Sequence, residues 1–337
     1  MIHDVLTIAV PGAPPIAGLT FRRYRGESDI PALVELMAAS EIADETFEIM
    51  TAGTVANIFA NRNDFDPAQH LLLAEVDGRL VAYSEQVRSI RDGERMYDTF
   101  GWVHPDQRRR GLGRAMLRYG EARVRERAAA EEASGETRPA QLGSWSHETS
   151  AGNTALLEGA GYVPVRWFFE MVRPDLEDIA EHALPDGLVL RPVPGDRARD
   201  VLLADWEAFK DHWGAVEHTE ADIRRILDDP DTDVSLWQVA WSGDEIAGSV
   251  QPAIYPTDNA AQGIQRGWLD RVSVCRPWRR RGVARALLTA AMMELRRRGM
   301  ESVALGVDSE NWTGALGLYE DHGFRLHKRA AAYRKPL

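Results

Sequence analysis

The chain has 337 residues, 44% of them hydrophobic and 27% charged, which is typical of a soluble globular protein long enough for two ordinary domains. Its formal net charge of −12 argues against nonspecific nucleic-acid binding and mildly favours cationic or neutral substrates. The single cysteine, Cys275, excludes an intrachain disulfide framework and a cysteine-based zinc cluster, and no apolar run approaches the roughly 20 residues of a membrane-spanning helix.

The first half of the chain predicts a leader followed by strands and helices. Residues 1–17 are the leader, which either adds an edge strand over Ile2–Val10 or forms a flexible tail, the interpretation that we favour. Because it lacks a basic segment, it is not a convincing signal peptide, and we expect a cytoplasmic protein. The elements that follow are a strand over Gly18–Tyr24, helices over Glu27–Met37 and Ile42–Arg62, a hairpin of His70–Val76 and Arg79–Arg88, a strand over Arg95–Val103, a helix over Gly113–Ala130, and a strand, helix and strand over Gln141–Ser146, Thr154–Glu158 and Tyr162–Arg173.

The same order of elements then restarts. It comprises a strand over Leu188–Pro192, helices over Ala198–Phe209 and Glu220–Leu227, strands over Ser235–Trp241 and Glu245–Ile254, a strand from Trp268, a helix to Arg298, a strand over Ser302–Val307, a helix over Thr313–His322 and a strand over Phe324–Tyr333. Two repeats of about 150 residues indicate domain duplication rather than a solenoid. We predict an N-terminal domain over residues 18–174, a linker over 175–187 whose apolar residues pack, and a C-terminal domain over 188–337.

A turn rich in arginine and glycine joins a strand to a helix in the second half. This turn is RRRGVA, Arg279–Ala284, and its small residues Gly282 and Ala284 let backbone N–H groups approach a ligand. The helix that follows begins with unpaired N–H groups and a positive dipole end, which suits a pyrophosphate, and the arginines add charge. Residues 102–117, WVHPDQRRRGLGRAML, repeat the turn with the same spacing from the last valine of the strand to the first arginine and on to the glycine.

The two turns resemble the acetyl-CoA loop of the GNAT (GCN5-related) N-acetyltransferases, whose pattern is V-x-x-x-x-(Q/R)-x-x-G-x-(G/A), and the pair is similar to the tandem members of the mycothiol synthase type. The resemblance covers nearly the whole chain. It implies an α/β fold of two tandem GNAT domains, each a twisted mixed β-sheet flanked by helices, and an acyltransferase with acetyl-CoA as co-substrate. The residues that it assigns to the cofactor are Val272, Val274, Arg279, Arg280, Arg281, Gly282, Val283, Ala284 and Asn311 in the second half, and Val103, Arg108, Arg109, Arg110, Gly111 and Gly113 in the first.

Acetyl transfer from a thioester to an amine needs a neutral amine, a stabilised oxyanion and a proton for the departing thiolate. The resemblance places the oxyanion donor at a backbone N–H at or near Val274. A two-residue period puts one set of side chains on the face toward the cofactor, namely Trp268, Asp270, Val272 and Val274. Asp270 is therefore a candidate base, acting directly or through a water. The alternative is an exposed carboxylate paired with Arg271 or Arg266.

The segment NWTGALGLYEDHGF, Asn311–Phe324, resembles the GNAT segment N-x-x-(A)-x-x-L-Y-x-x-x-G-F. The resemblance makes Tyr319 the candidate proton donor to the thiolate, whereas the alternative is a packing tyrosine. It makes Asn311 a helix cap that contacts the cofactor.

The first half keeps the turn and loses these side chains. Counted back from the turn, Asp270 corresponds to Thr99, and alignment of the two Gly-aromatic pairs places Leu157 at the position of Tyr319. Because neither residue can replace its counterpart, we predict that the N-terminal domain is catalytically degenerate and that the C-terminal domain is the catalyst.

The stretch WEAFKDHWGAVEH, Trp206–His218, lies where the resemblance places the acceptor. Its candidate acceptor contacts are Asp211, His212, Trp213 and Glu217, with Trp268 from the strand, where the Glu of mycothiol synthases falls when counted from the turn. These side chains offer aromatic walls and carboxylates suited to an amine or a polyol, and ordinary packing at a helix junction explains them equally well. The histidines lack metal-ligand spacing, so we expect no metal.

The sequence therefore predicts transfer of an acetyl group from acetyl-CoA to a primary amine of a small molecule by direct attack in the C-terminal domain. The alternatives are a catalytically silent acyl-CoA-binding sensor module and a protein N-acetyltransferase. We expect acetyl-CoA and a small-molecule amine as partners, no nucleic acid, no membrane, and a monomer or a homodimer.

Overall fold

The computed structural model describes residues 7–311 and 313–337 and divides the chain into two compact units. The first unit contains residues up to Val165 together with Ala331–Leu337, and the second unit is Arg166–Ala330. Two long strands, β6 (Val163–Arg173) and β12 (Arg325–Pro336), each cross from one unit to the other.

The first unit is a mixed sheet with helices. Its strands are β1 (Leu19–Arg22), β2 (Leu71–Val76), β3 (Arg79–Arg91), β4 (Glu94–Val103) and β5 (Ala140–His147), and its helices are α1 (Ile30–Ala43), α2 (Ala52–Asn61), α3 (Pro67–His70), α4 (Leu112–Ala133) and α5 (Ala151–Gly159). The strands neighbour one another in the order β1-β2-β3-β4-β5, with β12 beside β5. Neighbours from β1 to β4 are antiparallel, whereas β4 and β5 are parallel.

The second unit repeats this arrangement. Its strands are β7 (Val189–Leu190), β8 (Gln238–Ser242), β9 (Glu245–Ile254), β10 (Arg266–Val274) and β11 (Ser302–Asp308), and its helices are α6 (Ala198–Phe209), α7 (Glu220–Leu227), α8 (Pro256–Gln262), α9 (Val283–Arg297) and α10 (Ala315–Asp321). The strand order is β7-β8-β9-β10-β11-β6, and β10 and β11 form the parallel pair. The predicted α/β class, with a mixed sheet and helices in each half, is confirmed.

Helix α9 forms the main core of the second unit. Its apolar residues recur at helical spacing, so that Val283, Leu287, Ala291 and Leu295 line one buried stripe against the sheet. Each fully buried leucine contributes about 1.5–3 kcal/mol relative to an exposed one. Helix α6 packs on β9 and β10 with its own buried stripe. Within the described ranges, every helix is too short or too polar to cross a bilayer.

The described part of the leader is packed. The backbone N–H of Ile8 donates to the carbonyl of Phe21 in β1 at 2.8 Å, and Val10 is 7% exposed within the core of the first unit. The flexible tail that we favoured is therefore wrong for this part, because its apolar side chains have a core to join. Residues 2–6 of the alternative edge strand, Ile2–Val10, lie outside the described residues.

The predicted linker also packs. Leu176 is 3% exposed in the core of the second unit, and the hydroxyl of Thr289 in α9 donates to the carbonyl of Ala180 at 2.9 Å. The segment lies inside the second unit rather than between the two units. The predicted linker falls inside the second unit because β6, which begins before this segment, already joins that unit through its pairing with β11.

Candidate active site

The turn before α9 is a cradle of backbone N–H groups. Arg280 and Gly282 have positive φ angles of 61° and 90°, and Gly282 is the N-cap of α9. The first helical hydrogen bond runs from the N–H of Ala286 to the carbonyl of Gly282 at 3.2 Å. The N–H groups from Gly282 to Arg285 therefore have no helical acceptor. Apart from its chain neighbours, no atom of the described residues lies within 4 Å of a Cβ placed on Gly282, so the space in front of the turn is open to a ligand. This arrangement fits a pyrophosphate.

Arg279 holds the turn in place. Its Nε donates to the carbonyl of Val274 at 3.1 Å, and its Nη2 donates to the carbonyl of Ala208 in α6 at 2.8 Å. In the first unit, Nε of Arg108 donates to the carbonyl of Val103 at the same distance of 3.1 Å. The guanidinium of the first arginine in each turn is thus engaged by the protein, so a bound phosphate would rely chiefly on the backbone N–H groups of the turn.

Strand β10 contains a β-bulge at Asp270. Leu269 pairs with Pro252 of β9. The next pair joins Arg271 to Gln251, which leaves Asp270 as an extra residue in β10. Proline has no N–H to donate to a neighbouring strand, and inside sheets it is confined to edges and bulges. Pro252, on the neighbouring strand β9, is thus the sequence feature that is consistent with a bulge in β10 at this point.

The bulge reverses the faces of β10. Leu269 belongs to the core against α9, and beyond the bulge Val272 and Val274 pack against the same core. Trp268, next to Leu269 on a regular strand, lies on the opposite face. The prediction that Trp268, Asp270, Val272 and Val274 share one face is therefore wrong, because an extra residue breaks the two-residue period.

The parallel strands part at an equivalent point in each unit. In the first unit, the pairing of β4 with β5 ends at Asp98 and Gly143. In the second unit, the pairing of β10 with β11 ends at Trp268 and Ala304. Beyond these residues both strands continue unpaired to each other, which opens the sheet toward the turn.

The first unit has no counterpart of the bulge among its described residues, since β4 pairs with β3 without a shift of register. From the end of the parallel ladder to the last valine, the chain advances five residues in β4 (98 to 103) and six in β10 (268 to 274). The predicted correspondence of Asp270 with Thr99 is therefore wrong. Asp270 is the inserted residue, and Thr99 corresponds to Leu269.

Asp270 is exposed to solvent, and neighbouring protein crowds its carboxyl. The surrounding protein raises the pKa of its carboxyl by excluding water, although the Tyr255 hydroxyl donates to Asp270 Oδ2 at 2.5 Å. The alternative ion pair with Arg271 or Arg266 is not formed. Arg271 contacts Asp205 at 3.3 Å instead, and the nearest carboxylate to Arg266 is that of Glu170 at 3.9 Å. A raised pKa suits a carboxylate that accepts a proton near neutral pH.

Tyr319 is 6% exposed and lies in the same core cluster as Val283, the first residue of α9. Its hydroxyl has no hydrogen-bond partner among the described residues, and burial raises its pKa to about 12. The phenol is thus protonated at neutral pH, as a proton donor must be. The contact of Phe324 N–H with the carbonyl of Tyr319 has its counterpart in the first unit at Tyr162 and Leu157, which supports the alignment of Leu157 with Tyr319.

Asn311 does not cap α10 as predicted. The helix begins at Ala315, and its N-cap is Gly314 with a φ of 79°. Oδ1 of Asn311 instead accepts from the backbone N–H of Thr313 at 2.8 Å and from the Thr313 hydroxyl at 2.5 Å, which forms a local turn before the helix. The contact of Asn311 with the cofactor stays a prediction.

Comparison with known sequences decides the family. The profile of the Acetyltransferase (GNAT) family matches residues 32–146 and 198–324. The chain belongs to the GNAT acetyltransferase family. Its co-substrate is acetyl-CoA, and the predicted tandem GNAT architecture and acyltransferase class are confirmed.

Relatives and solved structures share the tandem arrangement. The mycothiol acetyltransferase of Salinispora arenicola is 31% identical over 277 residues, covering 81% of this chain and 84% of the relative. That of Kineococcus radiotolerans is 34% identical over 262 residues, covering 76% and 78%. A GCN5-related N-acetyltransferase from Sphaerobacter thermophilus superposes with a TM-score of 0.67 at 28% identity, covering 94% and 95%. A tandem GNAT protein from the clavulanic acid biosynthesis pathway, at 16% identity, a TM-score of 0.63 and coverage of 94% and 98%, supports the fold alone.

The predicted acceptor segment of this GNAT enzyme follows α6. Asp211 forms an ion pair with Arg276, which precedes the arginine turn, so its carboxylate binds the cofactor loop rather than standing free. Glu217 is exposed. The segment is thus anchored to the loop that leads into α9.

His212 and Trp213 lie on aromatic neighbours. The His212 ring is 4.5 Å from that of Phe209, and burial, followed by the charge of Arg279, lowers its pKa. The Trp213 ring lies 6.0 Å from Phe168 and 5.7 Å from the Arg166 guanidinium, which is itself paired with the end of β11. The acceptor segment therefore reaches from α6 to β6. In the described part of the chain, no three His, Cys, Asp or Glu side chains are placed to hold a metal.

Sequence reasoning missed a buried polar cluster between α6 and the sheet of the second unit. Its members, each at most 6% exposed, are Asp205, Ser249, Gln251 and Ser273. Ser249 and Ser273 form a cross-strand pair whose hydroxyls are 3.4 Å apart. Asp205 lies on the buried stripe of α6, where the pattern otherwise contains apolar residues. An acidic residue on an apolar stripe is the signal that could have found the cluster.

The first unit fills the same place with aromatic rings. Tyr83 and Trp102 form the equivalent cross-strand pair, one residue before the last valine of β4, and their rings stack at 4.9 Å. The Tyr83 hydroxyl donates to the sulfur of Met37 at 3.1 Å. Small polar side chains in the second unit thus replace a packed aromatic pair in the first.

Proposed function

We propose that the second unit transfers the acetyl group of acetyl-CoA to a primary amine of a small molecule by direct attack. The observation that carries this proposal is the bulge at Asp270. It adds a carboxylate with a raised pKa next to the point where β10 and β11 part, whereas the carboxylate at the equivalent point of the first unit, Asp98, forms an ion pair with Arg91 at 2.5 Å. Bulges of this kind re-aim side chains next to active sites.

The proton steps follow from the side chains of the second unit. Acetyl-CoA supplies the acetyl group as a thioester. Asp270, held by the Tyr255 hydroxyl, takes a proton from the attacking amine directly or through a water. A backbone N–H near Val274 stabilises the developing oxyanion, and Tyr319 donates a proton to the departing thiolate.

The first unit is, in this proposal, catalytically degenerate. Leu157 stands at the position of Tyr319, and Tyr83 and Trp102 fill the region of the polar cluster. A Cβ on Gly111 would lie 3.5 Å from Pro14 of the leader, whereas the same position in the second unit is open. These differences support chemistry in the second unit.

The proposal is tested by thiol release from acetyl-CoA with a panel of amines. The panel includes amines related to mycothiol, because the relatives carry that name, and peptides with free N-termini or lysines. Release with small amines is the expected result. Acetyl-CoA binding without release would indicate the sensor module, and release with peptides alone would indicate a protein N-acetyltransferase.

Tyr319→Phe is expected to lower kcat on the order of 10-fold, below the usual 10²–10⁴-fold range for a catalytic acid. The reason is that a phenol whose pKa is raised to about 12 is a weak acid toward a thiolate. Steady-state kinetics would measure the change, with Tyr162→Phe in the first unit as the control. An unchanged kcat in Tyr319→Phe would make the ring a packing residue only.

A further inference from the structure

The two residues at the bulge carry opposite charges and do not form an ion pair with each other. Asp270 accepts from the Tyr255 hydroxyl, whereas Arg271 reaches across the sheet surface to Asp205 in α6. Each side chain thus has its own anchor on the protein. The bulge therefore presents an anion and a cation side by side, at the place where the proposed acceptor meets the thioester.

The guanidinium of Arg271 has unused hydrogen-bond donors. Its Nη1 contacts Asp205 Oδ2 at 3.3 Å, and its other guanidinium nitrogens have no hydrogen-bond partner among the described residues. The side chain is 30% exposed. A guanidinium offers five N–H donors in a planar fork, which matches a carboxylate better than it matches any neutral group. An arginine in this state has room for an anionic ligand.

The carboxylate of Asp205 in α6 fixes the position of the Arg271 guanidinium. It is 1% exposed, and its Oδ1 has no hydrogen-bond partner in the described structure. In the first unit, Arg108 and Ser40 correspond to Arg279 and Ala208, which places Met37 at the position of Asp205. A buried carboxylate is costly unless it is paired, so a structural role alone would be served equally well by a methionine.

The aromatic wall beside Arg271 is flat and uncharged. The rings of Trp206 and His218 stack at 3.9 Å with an interplanar angle of 11°. Burial chiefly lowers the pKa of His218, and Arg271 adds to that effect, so the imidazole is neutral at physiological pH. Arg225 also lies near His218 and contacts Asp222 at 3.5 Å, whereas Arg271 keeps unused donors for an anionic ligand on this side of the site.

We propose that the acceptor is an amino-carboxylate compound, whose carboxylate binds Arg271 while its amine lies against Asp270. This proposal rests on the proposed function. One guanidinium beside Asp205 and Asp270 matches a monoanion, whereas a doubly charged phosphate would be repelled by the two aspartates. Asp205 acts as a positioning residue for Arg271, and Ser249 and Ser273 leave the space that the aromatic pair occupies in the first unit.

The test compares free acids with their amides as acceptors of the full chain. The probes are the standard L-amino acids, β-alanine and γ-aminobutyrate, each beside its carboxamide, with thiol release as the readout. We expect kcat/KM for the preferred free acid to exceed that of its amide by about 10-fold or more, as a charge-assisted hydrogen bond predicts. This comparison needs no variant and is independent of folding.

Variants then locate the effect. Arg271→Gln is expected to lower kcat/KM for the free acid about 10-fold or more through KM and to leave the amide unchanged, with Arg271→Lys in between. Asp205→Asn is expected to raise KM for the free acid alone. The control is Arg298→Gln, since Arg298 matches Arg271 in exposure, at 31%, and also contacts an aspartate, Asp233, at 3.2 Å, although it binds Glu294 and Ser235 as well.

The outcomes separate the two proposals. Equal kcat/KM for acids and amides, or an equal loss for both in Arg271→Gln, would overturn the amino-carboxylate acceptor and leave acetyl transfer to amines standing. An absence of thiol release with every amine, acid or amide, would overturn both.

Discussion

Asp270→Asn is expected to lower kcat by about 10²–10⁴-fold, the range for loss of a general base, while leaving the affinity for acetyl-CoA unchanged. The amide keeps the size of the side chain and can still pair with the Tyr255 hydroxyl, which donates to Asp270 Oδ2 in the wild type. What it loses is the ability to accept the proton of the amine. Single-turnover kinetics with acetyl-CoA and the best amine of the panel would measure the loss.

The control for this variant is Thr99→Val, because counting from the turn alone would place Thr99 at the base position of the first unit. We expect no change in kcat from that substitution. A full-rate Asp270→Asn enzyme would mean that the base lies elsewhere in the second unit.

The pH dependence gives a second readout of the same group. Desolvation by the surrounding protein raises the pKa of Asp270, so the protonated form persists to higher pH than in a free aspartate. A base must be deprotonated to act, and kcat/KM of the wild type is therefore expected to rise as pH rises through that raised pKa. In Asp270→Asn, kcat/KM should no longer show this rise with pH.

The raised pKa of Asp270 affects stability in the opposite direction, because its contribution to stability falls as pH rises. A carboxyl whose pKa is higher in the folded state than in the unfolded state stabilises the fold at low pH, and that contribution is lost as pH rises through the folded pKa. Asp270→Asn should consequently be no less stable than the wild type at neutral pH. Thermal unfolding at pH 7 would check this, and a lower Tm would show that the carboxylate has a structural role.

The turns could be predicted from the sequence because their geometry is local. Arg109 and Gly111 have φ angles of 60° and 93°, and Arg280 and Gly282 have 61° and 90°. Glycine tolerates a positive φ without steric cost, and a helix entrance leaves N–H groups unpaired whatever the rest of the chain does. The repeated spacing, together with the family resemblance, therefore located both turns.

The bulge could not be predicted from β10 alone. A two-residue period assumes a regular strand, and one inserted residue transfers every later side chain to the other face. The cause lies on the neighbouring strand, where Pro252 faces Leu269. Only the pairing of β9 with β10, which is a tertiary fact, connects the proline to Asp270.

The polar cluster and the crossing strands were missed for the same reason. Ser249 and Ser273 are unremarkable in sequence, and they become a site feature only when the register sets them opposite each other beneath Asp205. The passage of β6 and β12 between the units likewise depends on strand pairing over long distances along the chain. Local patterns hold no information on such pairings.

Gly282→Glu is expected to weaken acetyl-CoA binding by roughly 100-fold and to reduce kcat/KM in proportion, because a carboxylate at the helix entrance repels the pyrophosphate and fills its place. In the part of the chain that the structure describes, only the chain neighbours lie within 4 Å of a Cβ at this position, so the new side chain enters the space for the ligand rather than the core. The φ of 90° adds backbone strain of about 1–3 kcal/mol.

Gly111→Glu is the matched control for this strain, since Gly111 has a φ of 93° at the same place in the first turn. It should incur a similar strain and keep activity if the second unit is the catalyst. Calorimetric titration with acetyl-CoA and steady-state kinetics on both variants would separate strain from ligand loss, because strain alone lowers Tm equally in the two. Activity that survives Gly282→Glu and disappears with Gly111→Glu would move the chemistry to the first unit, since only the turn that holds the reacting thioester can be indispensable.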